Sequence, residues 1–133
     1  MLRLFGSYVA VLVVMIAGDA LWLSWFARAV FRPTLGSLLL DDPRWAAAAA
    51  FYLLYALAIV VFPVTLAARS EGWTGVLIYG ALFGLFAYMT YDLTNLATLK
   101  PWTATLALAD IAWGAILSAA AATAGRAASV LWT

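Results

Sequence analysis

Residues 79–102 read YGALFGLFAYMTYDLTNLATLKPW, an apolar run that carries an aspartate, Asp92, and an asparagine, Asn95. A bilayer hydrocarbon core of roughly 30 Å needs about 20 helical residues, and the run supplies them before Lys100 and Pro101 close it. A charged side chain at the bilayer centre costs at least about 2.5–3.5 kcal/mol on insertion scales, so such residues face a bundle interior and mark function. Working outward, Asp19 and Asp110 interrupt two further apolar runs, so half of the six acidic residues lie in membrane-spanning sequence.

Those runs, with a fourth that lacks a carboxylate, predict helices at residues 4–26, 45–67, 74–98 and 105–124. Barrel strands would show short alternating segments, which this chain lacks. The composition agrees: 68% apolar and 10% charged, where a soluble domain carries about 25% charged residues. The expected fold is therefore all-α, a four-transmembrane-helix antiparallel bundle forming one domain over residues 1–133. Residues 31–42 are too polar to span, yet contain Leu35, Leu38, Leu39 and Leu40. They predict a short interfacial or re-entrant segment after the first helix.

A formal net charge of +1 leaves no basic footprint for nucleic acid. With no Cys and no His, disulfides, thiolate chemistry and imidazole acid–base work are excluded. Arg3 followed by an apolar run, and the string Ala27-Arg28-Ala29, resemble a cleavable signal. The run is longer than a signal core of about 7–15 residues, and Asp19 interrupts it, so it is read as a true span. Call the N-terminal side A and the opposite side B. Side A holds Arg3, Arg69 and Arg126; side B holds Arg28, Arg32, Arg44 and Lys100, a balance that fixes no orientation.

Antiparallel order turns this list into a layer. Asp19 comes late in the first helix, Asp92 late in the third and Asp110 early in the fourth, so all three fall in the half nearer side B. Tyr52 and Tyr55, early in the second helix, join them. Gly80, Gly84, Tyr88, Asp92 and Asn95 follow steps of three and four and share one helix stripe. Gly80 and Gly84 would let a neighbouring backbone approach, within the chain rather than between copies. Asp19 with Trp22, and Asp110 with Trp113, repeat a D-x-x-W spacing, and an indole N–H can only donate. Arg28, Arg32, Arg44 and Lys100 would snorkel to form a cationic rim above the layer. Trp45, Trp73 and Trp102 lie at span ends and read as interfacial anchors. Pro63, lacking an N–H, predicts a kink late in the second helix.

A structural reading stands beside the functional one: interior polar groups can simply hydrogen-bond helices together, at an average of about 0.6 kcal/mol. Three carboxylates and Asn95 offer hard oxygen ligands, but their spacing matches no metal motif, so no metal or cofactor is assigned. No hydroxyl has a histidine base to activate it, which weighs against an enzyme.

The strings DALWL (19–23), RPTLGSLL (32–39), FYLLY (51–55), YDLTNLATL (91–99) and DIAWG (110–114) resemble those of a bacterial membrane-protein family catalogued as domain of unknown function 2177. The likeness covers nearly the whole chain. It implies a multi-pass protein of the bacterial inner membrane and supplies no activity. The residues favour binding or transfer of a small polar or cationic species, with proton coupling as one version, in a pocket opening toward side B. Asp19, Trp22, Tyr52, Tyr55, Tyr88, Asp92, Asn95, Asp110 and Trp113 would line it. The alternatives are an accessory subunit of a larger membrane complex and a lipid-modifying enzyme using the side-B arginines; transfer would call for a homo-oligomer, since four helices enclose little volume.

Overall fold

In the computed structural model, which describes residues 1–131, the first helix does not end where its apolar run does. Helix α1 (Leu2–Phe26) continues through a π-helical turn (Ala27–Phe31), helix α2 (Arg32–Leu35) and a 3₁₀ turn (Gly36–Leu38). Nothing before Pro33 breaks it, and that proline sits in the first turn of α2, where a missing N–H costs nothing. Gly36, at φ 49°, ends the run with a backbone that favours glycine. The expected interfacial segment is thus continuous with the first helix. Its Leu35, with Val30 and Phe31 alongside, packs on Trp102, Leu106 and Ala107 and covers the side-B end.

Helix α3 (Trp45–Ile59) returns toward side A and widens into a π-helix over Val60–Ala67 around Pro63. The expected kink takes this form: the ladder shifts where the proline cannot donate, and Thr65 Oγ1 donates to Val60 O at 2.7 Å. Helix α4 (Ala68–Thr98) contains the reversal itself, at Gly72, with φ 61° and ψ −141°. Its stretch Glu71–Thr98 is the third span. Helix α5 (Ala104–Leu131) is the fourth.

The four spans are long and apolar enough to cross a membrane, and α5 is their centre. Half of its most apolar window is buried, against 22–28% in the others. Small residues make this packing close. A Cβ on Gly84 would strike Gly114 O and the Ser118 side chain, and one on Gly80 would come within 2.9 Å of Ala122 Cβ. The Gly80/Gly84 stripe therefore packs α4 on α5 within the chain, the usual use of small residues where lipid removes the hydrophobic drive. Ser7 Oγ donates to Gly125 O at 2.8 Å where α1 crosses α5. Val11, Met15, Ile59, Val76 and Leu117 fill the space between. Leu21, Leu54, Phe86, Leu108 and Ile116 face outward, a surface suited to acyl chains.

Candidate functional site

Asp19 is fixed on both oxygens. Tyr52 Oη donates to Oδ2 at 2.9 Å and Trp113 Nε1 to Oδ1 at 3.0 Å, so one buried carboxyl group ties α1 to α3 and α5. Hydrogen bonds to a charged acceptor contribute about 1.5–3 kcal/mol each, so two of them match the insertion cost of about 2.5–3.5 kcal/mol. Asp19 is balanced by its own neighbours.

Asp92 is not. It is 0% exposed, and neither oxygen has a hydrogen-bond partner. Asp110, 7% exposed, lies beside it, and so does the Trp102 indole, whose Nε1 is also buried without a partner. Trp22 Nε1, likewise unpartnered, lies beside Asp110. The two D-x-x-W pairs are thus crossed: Trp113 serves the aspartate of α1, and Trp22 approaches the aspartate of α5. Their rings stack at 4.7 Å with 1° between planes. Antiparallel packing causes this, because each indole, one turn from its own carboxylate, projects toward the facing helix.

Of the other expected residues, Tyr55 shares a 2.9 Å hydrogen bond with Ser118 Oγ, and Tyr88 lays its ring in the gap that Gly114 leaves. Asn95 is half-buried one turn beyond Asp92, beside Tyr91. Arg28, Arg32, Arg44 and Lys100 are all exposed at side B. Among the described residues no cation pairs with Asp19, Asp92 or Asp110, and no three acidic groups draw close enough to cage a metal ion. Two cavities elsewhere in the bundle include none of these side chains.

Two participants lie outside the sequence-based list. Trp102, read as an interfacial anchor, is 6% exposed and set against Asp92, whereas Trp45 and Trp73 are exposed as anchors should be. Pro101 turns the chain there, and the cover of Leu35 draws the indole inward. Ser118 was legible: Asp110, Gly114 and Ser118 follow steps of four on α5, the same rule that groups the α4 stripe.

The fold and its interior define a multi-pass α-helical membrane protein whose carboxylates are held inside the bundle. The chain belongs to the family described as "Predicted membrane protein (DUF2177)", whose profile matches residues 4–127. No curated protein and no solved structure is found to match it.

Proposed function

We propose that the Asp92–Asp110 pair binds a proton or one small cation and passes it on, in a protein of the bacterial inner membrane. The observation that carries this reading is the buried Asp92 with both oxygens unpartnered beside a second carboxyl group. Two carboxyl groups facing each other in an apolar interior with no basic partner call for a positive charge between them. Full burial of Asp92 limits that charge to a small species. Trp22 and Trp102 supply the two idle donors beside it, able to take up a carboxyl oxygen as the species leaves. Tyr52 and Trp113 hold Asp19 as a fixed wall; Tyr55, Tyr88 and Asn95 complete the lining.

Thermal melting of the detergent-solubilised protein tests the reading, with Na⁺, K⁺ and ammonium compared against a bulky organic cation at one ionic strength. A bound cation stabilises by about 2.7 kcal/mol at a hundredfold excess over its Kd. A small cation should raise the melting temperature, and Asp92→Asn should lose that response while Asp19→Asn keeps it. For the proton case, proteoliposomes should dissipate a pH gradient faster than empty vesicles. Neither response in the wild type would remove the proposal.

A further inference from the structure

The opposite end of the bundle holds a polar feature that the carboxyl pair does not touch. A cavity of about 460 Å³ lies at side A between the first turns of α1, the end of the π-helical stretch and the last turns of α5. Arg3, Arg69 and Arg126 line it, brought from three separate parts of the chain. Its hydroxyls are already committed: Ser7 donates to Gly125 O, Thr65 to Val60 O and Ser129 to Arg126 O. Among the lining arginines, the donors with no acceptor belong to Arg69 and Arg126. Arg126 Nε is buried with no acceptor, while its guanidinium carbon sits 5.9 Å from the centre of the Trp73 ring. Neither Arg69 nor Arg126 pairs with a carboxylate among the described residues.

Two guanidinium groups without a carboxylate partner, Arg69 and Arg126, in a cavity at the membrane surface call for an anion. Guanidinium groups present forked donors that match phosphate oxygens. Trp73, an exposed aromatic at the end of the third span, sets this level at the headgroups, where phosphates are the abundant anions. We infer that the side-A cavity binds a phosphate group, presented by an anionic lipid headgroup or as free phosphate, with Arg69 and Arg126 as its principal ligands.

Delipidated protein in a neutral detergent is melted with phosphatidylglycerol, phosphatidylcholine or inorganic phosphate, at fixed ionic strength. Native mass spectrometry of the same samples counts retained lipid. Phosphatidylglycerol should raise the melting temperature above phosphatidylcholine and remain bound as a discrete adduct. Inorganic phosphate competing it off shows that the phosphate group suffices; lipid binding without such competition shows that the lipid is the source. Stabilisation by inorganic phosphate alone makes free phosphate the ligand. The double variant Arg69→Gln/Arg126→Gln should weaken the effective ligand by about tenfold or more, equal to about 1.4 kcal/mol. If that variant does not fold, Arg69→Gln alone serves, because the Arg69 side chain is exposed and makes no hydrogen bond, ion pair or ring contact among the described residues. Equal effects of the two lipids without any effect of phosphate, no effect of any, or undiminished binding in the variant would overturn the assignment. All readouts are independent of the Asp92–Asp110 pair, so this site and the cation site stand or fall separately.

Discussion

Asp19 and Asp92 are one residue type in one half of the bundle, and their surroundings give them opposite characters. Asp19 accepts from Tyr52 and Trp113; Asp92 accepts from nothing. Asp19→Asn should keep nearly full stability, because the amide oxygen can still accept from the indole and the Tyr52 hydroxyl can turn to accept instead. Asp19→Leu leaves both donors unpaired and should cost about 1–3 kcal/mol for each, read as a lowered melting temperature. In the absence of a small cation, Asp92→Asn should leave melting unchanged or raise it, since it breaks no hydrogen bond from a tyrosine or indole donor and relieves two carboxyl groups of facing each other in an apolar interior. A large loss of stability there would mean that Asp92 is glue. Sequence could locate both residues in one layer from helix order alone. It could not separate them, because the difference lies in side chains on facing helices, and the crossing of the two D-x-x-W pairs depends on which neighbour each indole meets.

At the scale of elements, the packing of α4 on α5 depends on an absence of side chain. Gly114→Ala should push against the Tyr88 ring and destabilise by about 1–3 kcal/mol, the usual cost of overpacking. Gly84→Ala should cost at least as much, because what it meets is partly the backbone carbonyl of Gly114, which cannot rotate away. If both alanine variants melt with the wild type, the close α4–α5 approach is wrong. In the second span, Thr65→Val removes the hydroxyl that serves Val60 O and should cost about 1 kcal/mol in the same assay. The glycine stripe was readable as steps of four. The course of α1 through Ala27–Phe31 and α2 was not: the polarity of residues 31–42 makes that stretch look like a separate interfacial segment, whereas Arg28 and Arg32 both point outward from a helix that continues. Trp102 was misread for a related reason, since composition marks the end of a span but not whether another element covers it.

For the whole molecule, four crossings place both ends of the described chain on side A. A chain without cysteine makes this directly measurable by single substitutions and a membrane-impermeant thiol reagent in intact cells. Thr74→Cys and Ala127→Cys should label from one face, and Ser37→Cys and Thr103→Cys only from the other; mixed labelling would break the topology. The same wholeness governs the interior charge. Seven basic residues stay at the ends of the bundle, so none of them offsets the carboxylates inside it; hydrogen bonds balance Asp19, and a bound positive charge is proposed for Asp92–Asp110. Infrared spectroscopy of the carboxyl bands in reconstituted membranes, comparing wild type with Asp92→Asn and Asp19→Asn, tests that balance most directly. A carboxyl band that marks a bound proton or responds to a small cation should be present in the wild type, persist in Asp19→Asn and vanish in Asp92→Asn. A wild-type spectrum of fully ionised carboxylates insensitive to every small cation, or a band that survives in Asp92→Asn, would contradict it.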